Sequence, residues 1–259
     1  MIELRTPTEI DQMRPAGEFV ASTLSHLTAQ ADVGTNLLDI DAEAHRLIRQ
    51  AGAESCYIDY HPSFGASPFG KVICTSVNDA VLHGLPYDYE LTAGDLLSLD
   101  FAVSLDGWVS DSAVSIVVGA ADPADLRLIE VTELGLAEGI AAAQAGNRIG
   151  DIGAAIGAVA HRAGFTVNTT FGGHGVGRTM HGEPHVPNDG KAGRGMVLKP
   201  GLVIAIEPWL LIGTDELYTD PDGWTLRSTD GSRGAHSEHT IAITEDVPVI
   251  LTARSAQPV

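Results

Sequence analysis

The chain has 259 residues, with 34 acids against 15 lysines and arginines and a net charge of −19. Such a charge repels phosphate backbones and anionic lipid, which excludes nucleic acid as the main substrate. Cys56 and Cys74 form no paired framework, which excludes a disulfide scaffold and fits a reducing, cytoplasmic compartment; the greasiest stretch, Met196 to Ile212, is cut by Lys199, Pro200, Gly201, Glu207 and Pro208 and spans no membrane.

Thr6-Pro7-Thr8-Glu9 reads as an N-cap, a proline at the first helical position and a capping-box acid. Ile10, Met13, Val20, Leu24 and Leu27 then recur at helical spacing. A second helix is expected from about Thr35 to Gln50, ended by Gly52. Strand-like runs follow at Val72-Ile73-Cys74, Leu96 to Val103 and Val114 to Val118. Asp122-Pro123 caps a third helix, and a fourth starts near Asp151 and stops at Gly164. The last strand-like runs are Leu202–Ile206 and Ile241–Thr244.

The second half repeats the first. Gly34-x4-Asp39 recurs as Gly146-x4-Asp151, Gly94-x5-Asp100 as Gly201-x5-Glu207, and Asp111-x2-Val114 as Glu238-x2-Ile241. The pattern predicts two αβ halves, about 1–120 and 121–259, related by a pseudo-twofold and sharing one domain over 1–259.

The acids of this repeat sit where acids are costly. Asp100 interrupts Leu96–Val103, Glu207 closes Leu202–Ile206, and Glu238 precedes His239-Thr240-Ile241. A two-residue turn at Asp106-Gly107 puts Asp100 and Asp111 on one sheet face; a three-residue turn would separate them. Facing carboxylates among apolar neighbours repel and are costly to desolvate. A shared proton, a basic partner or a metal relieves this, and no lysine or arginine lies between Lys71 and Arg127. His174, flanked by glycines in Gly172-Gly173-His174-Gly175, is the nitrogen-ligand candidate. Four carboxylates and one imidazole suit two divalent ions such as Mn, Fe(II) or Co.

Two louder signals fail on inspection. Gly65 to Lys71 nearly fits a phosphate-binding loop, but Val72 stands where Ser or Thr is needed. His181-Gly182-Glu183-Pro184-His185 echoes the helical zinc motif, but its acid is one place late and Pro184 breaks the helix.

The order Asp100, Asp111, His174, Glu207, Glu238, with Asn78-x4-His83-Gly84, Gly173-His174-Gly175-Val176-Gly177-Arg178-x2-His181, Ile206-Glu207-Pro208 and Asp222-Gly223-Trp224-Thr225, resembles the type I methionine aminopeptidases of bacteria. The resemblance covers essentially the whole chain. It implies the α/β (α+β) pita-bread fold, two αβ halves around a central antiparallel sheet with helices outside. It also implies removal of initiator methionine from nascent N-termini by a hydroxide held between two divalent ions (Co, Mn, Fe(II) or Zn). By the same resemblance Asp100 holds one ion, His174 and Glu207 the other, and Asp111 and Glu238 bridge them. Glu207 takes the water's proton, His83 contacts the scissile nitrogen, and His181 the scissile carbonyl. Phe69, Cys74 and Trp224 line the methionine pocket. The implied enzyme is a cytoplasmic monomer with transient ribosome contact. Three positions depart from the family pattern: Met180 stands for the usual aromatic, the loop at Ala66 shows no pocket aromatic, and Trp209 follows Glu207-Pro208. The alternatives are an X-Pro exopeptidase on the same fold, against which the expected absence of a long N-terminal domain speaks, and an inactive binding module, which would have lost ligands.

Overall fold

A computed structural model describes residues 2–62, 65 and 67–254. Ala66, the expected pocket-loop position, lies outside them.

Four helices form where the caps place them. Helix α1, Pro7–Gln30, carries the expected capping box: Glu9 N donates to Thr6 Oγ1 and Thr6 N to the Glu9 carboxylate. Helix α2, Leu37–Ala51, starts two residues later than expected because the Asn36 side chain accepts from Leu38 N. Gly52, in the left-handed region at φ 66°, ends it. Asp122 caps α3, Pro123–Ala142. Helix α4, Ile149–Ala163, begins two residues early, because Asp151 is its third residue and reaches back to Arg148 N.

The central strands Leu96–Leu105 and Trp108–Val117 pair along their whole length. Asp106 and Gly107 connect them with φ of 53° and 72°, the paired positive values of a two-residue turn that matches strand twist. Cys74–Val77 adds on the other side of Leu96–Leu105. The ladder starts at Cys74 and not at Val72, because Val72 N is taken by the Asp41 carboxylate. In the second half, Val203–Ile206 lies between His239–Ala242 and Gly173–Gly175. Gly173–Gly175 then pairs with Gly182–Val186. The strand His239–Ala242 stops short of Thr244, whose hydroxyl closes a turn with Asp246 and Val247, and Val249–Ile250 then pairs back onto it.

Alternation decides which side chains meet. Leu97, Leu99, Phe101 and Val103 pack against Val20, Leu24 and Leu37 of α1 and α2. Ile204, Ile206, Ile241 and Ile243 pack against Leu136, Ile152 and Ile156 of α3 and α4. Each such side chain contributes about 1.5–3 kcal/mol on burial, so register is strongly specified. The opposite faces therefore carry Asp100 with Ala102, Asp111 with Val109, Glu207 with Ala205, and Glu238 with Ala242. All four acids turn away from the helices toward one place.

Candidate metal centre

The hairpin register puts Asp100 opposite Ala113 and Asp111 opposite Ala102, so the two acids are diagonal neighbours on one face. Across the sheet Ile206 pairs with His239, which brings Glu207 and Glu238 to the same end of the second ladder. His174 projects from the short strand beside Val203–Ile206. Its flanking glycines are required by crowding. A Cβ at Gly173 would lie 2.1 Å from the Ala205 carbonyl oxygen, and one at Gly175 2.1 Å from that of Glu183.

Three overlapping groups, Asp100–Asp111–Glu238, His174–Glu207–Glu238 and Asp111–His174–His181, each offer ligand atoms within 4.8 Å of one another. His174 Nδ1 faces the Gly175 carbonyl at 3.2 Å; that oxygen only accepts, so Nδ1 carries the proton. Nε2 is then a lone-pair donor, 3.6 Å from Glu207 Oε1 and 3.8 Å from Asp111 Oδ2.

Burial sets the electrostatics. Desolvation raises the Asp100 carboxyl to about 6. Desolvation and the charge of Asp100 raise Glu207 to about 8. Asp111 and Glu238 are also driven up, first by burial and then by the neighbouring acids. Burial lowers the imidazoles of His83 and His181 to about 4, and that of His174 to about 3. Among the described residues no lysine or arginine forms an ion pair with any of the four acids. Glu238 Oε1 and His236 Nε2 are buried without a hydrogen-bond partner. Such an orphaned acceptor among four carboxylates fits divalent cations, which would satisfy them together.

The acids and His174 form the floor of a cavity of about 340 Å³, and every sequence-predicted site residue lines it. His83 follows the strand Ala80–Leu82 with a φ of 54°, its ring edge-on to Phe171 at 5.5 Å. His181 stands edge-on to His174 at 4.3 Å and shares a 2.8 Å hydrogen bond with Tyr60 Oη through Nδ1. Phe69 and Trp224 make a T-shaped wall at 5.2 Å, and Tyr57 meets Phe69 at 5.7 Å. Cys74 pairs with Asp100 across the ladder. Met180 is buried in the lining, whereas Trp209 lies behind it, fully buried against Phe171.

Two features were not read from the sequence. Tyr57 Oη donates to Asp100 Oδ1 at 2.6 Å and lies 3.3 Å from Asp111 Oδ1. His236 stands 3.8 Å from both Glu207 Oε2 and Glu238 Oε2. Alternation held a clue, since His236, Glu238 and Thr240 share one parity. Tyr57 has no such signal, because it sits in an irregular loop.

A profile described as metallopeptidase family M24 matches residues 11–245. The chain belongs to that family. It is 43% identical to methionine aminopeptidase 1 of Mycobacterium tuberculosis, over 97% of this chain and 95% of that one. Identity to the methionine aminopeptidase of Aquifex aeolicus is 40%, over 97% and 98%. The crystal structure of methionine aminopeptidase from Rickettsia prowazekii superposes with a TM-score of 0.93 at 34% identity, covering 98% of this chain and all of that one. A prolidase of Pyrococcus furiosus matches at 0.77 and 22% identity, covering 97% of this chain and 66% of the prolidase, a likeness of fold alone. The architecture is the pita-bread fold.

Proposed function

We propose that the chain is a dimetal exopeptidase that releases the N-terminal methionine of peptides and nascent proteins when the second residue is small. The observation that carries this reading is the set of four inward acids and His174 forming the floor of an aromatic-walled cavity. In this reading residues 1–259 act as one catalytic unit. Asp100, Asp111, His174, Glu207 and Glu238 would together hold the ions. Bound divalent ions supply Lewis acidity and lower the pKa of the attacking water. Zn, Mn, Fe(II) and Co all suit such a donor set.

The chain's own groups supply the rest. Glu207, held ionised by the bound ions, accepts the proton of the attacking water and returns it to the leaving amine. Tyr60 Oη is hydrogen-bonded to His181 Nδ1; with the phenol as donor, His181 presents Nε2–H to stabilise charge on the scissile carbonyl oxygen. His83, neutral at pH 7, binds the scissile nitrogen. Phe69, Trp224 and Cys74 receive the thioether, which packs well against aromatic edges. Among the described residues the cavity lining contains no lysine or arginine, which suits a cationic peptide α-amine.

The net charge of −19 opposes any nucleic-acid substrate. No helix among the described residues is long and apolar enough to cross a membrane. A cytoplasmic monomer that meets nascent chains at the ribosome belongs to the same reading.

The test is methionine release from Met-Ala-Ser peptides by metal-stripped protein reloaded with Mn(II), Fe(II), Co(II) or Zn(II). Metal-dependent release of free methionine is expected. Preferential cleavage of X-Pro peptides, or no release with any ion, would overturn the reading.

A further inference from the structure

Asp111 and Glu238 come from different halves of the chain, so no single ladder fixes the distance between them. Four hydrogen bonds across the seam do. Thr240 Oγ1 donates to the Asp111 carbonyl at 2.8 Å and accepts from Asp111 N at 3.0 Å. Reciprocally, Ser112 Oγ donates to the Glu238 carbonyl at 2.6 Å, and Glu238 N donates to the Ala113 carbonyl at 3.0 Å. Each acid is held by a hydroxyl on the strand of the other.

We propose that Arg254 is a positioning residue for the Asp111–Glu238 pair, acting through Ser112. Arg254 Nη1 donates to Ser112 Oγ at 2.8 Å. A serine hydroxyl has one proton and two lone pairs, and a guanidinium only donates. With Arg254 on the oxygen, the serine proton is directed to the Glu238 carbonyl. Without Arg254 the hydroxyl is free to rotate, and the bond that fixes Glu238 is shared among rotamers. Glu133 and Glu238 are the acids whose charge acts on the guanidinium.

The segment around Arg254 is docked on the Glu238 strand at two further points. Leu251 N donates to the Thr240 carbonyl at 2.9 Å, and Thr240 N donates to Thr252 Oγ1 at 3.1 Å. Arg254 lines a separate cavity of about 680 Å³ with Ser25 and Thr28 of α1 and Glu133 and Ile140 of α3. Neither Arg254 nor Ser112 lines the cavity that holds the acids. Substitution here therefore acts on the pair of acids without touching substrate.

The inference rests on the dimetal reading, and the experiment separates the two. Wild-type protein, Ser112→Ala, Arg254→Met and Arg254→Lys are stripped and titrated with Mn(II) by calorimetry, with electron paramagnetic resonance of the two-ion form. Wild type is expected to bind two ions with an exchange-coupled spectrum. Ser112→Ala and Arg254→Met should bind the second ion about 10–100-fold more weakly and lose the coupled signal. Arg254→Lys, which keeps a donor and the charge, should lie nearer wild type. Turnover should fall while KM for a Met-Ala peptide holds. Wild-type affinity and coupling in both deficient variants would overturn the inference, even if their thermal stability fell. Failure of the wild type to bind two ions would instead overturn the dimetal reading. If Arg254→Met does not fold, Ser112→Ala carries the same test.

Discussion

Gly173→Ala adds one methyl group where the second sheet is tightest. The new Cβ would sit 2.1 Å from the Ala205 carbonyl oxygen and 3.0 Å from Val186 Cβ. Restoring ordinary contact requires the strands to part by about 1 Å or more. Overpacking of this kind costs about 1–3 kcal/mol. At about 2–4 °C per kcal/mol for a chain of this size, the melting temperature should fall by roughly 2–12 °C. His174 is the next residue and moves with the strand, and a displacement of about 1 Å at a reacting site costs up to about 100-fold. The control is Gly135→Ala in α3, where the added Cβ meets only Ile156 Cγ2 at an ordinary 3.8 Å. Alanine there should stabilise by about 0.8–1 kcal/mol through helix propensity, with activity unchanged. Scanning calorimetry and methionine release at saturating Mn(II) read both variants. Gly173→Ala with near wild-type turnover and an unshifted melting temperature would refute the account of the glycines around His174.

Asp100→Asn removes a charge at nearly constant shape, so activity should be abolished while the circular dichroism of stripped protein is preserved; full activity would remove Asp100 from the ligand set. Tyr57→Phe deletes the 2.6 Å donor to Asp100 and should weaken Mn(II) binding about 10–100-fold by calorimetry. An unchanged isotherm would show that this hydrogen bond does not support the site. Stripped protein should also lose stability as pH rises from 7 to 8. Folded Asp100, near 6, and Glu207, near 8, hold protons more tightly than the unfolded chain, so their stabilising protonation fades as pH climbs from the usual carboxyl range toward about 8. The buried histidines, held at about 3 to 4, act in the opposite direction but deliver most of their contribution below pH 7, where the unfolded imidazoles titrate. Melting temperatures with and without chelator at both pH values measure it, the gap being widest at pH 8; a stripped protein more stable at pH 8 would reverse the sign.

Local rules made much of the molecule legible. Thr6-x-x-Glu9, Asp122-Pro123, Gly52 and Gly164 mark helix ends because caps and left-handed residues act within one turn of chain. Asp106-Gly107 announced the hairpin, and its two-residue length fixed Asp100 and Asp111 on one face. The internal repeat likewise matched Glu207 to Asp100 and Glu238 to Asp111. What alternation cannot supply is a partner from elsewhere in the chain. Tyr57 reaches Asp100 from 43 residues away, and Arg254 reaches Ser112 from 142. His236 joined the site only when the Val203–Ile206 ladder brought Glu207 beside Glu238. Side-chain direction is a property of a few bonds and is written locally. The meeting of side chains depends on how the two halves close over a shared core, and only the tertiary structure decides that.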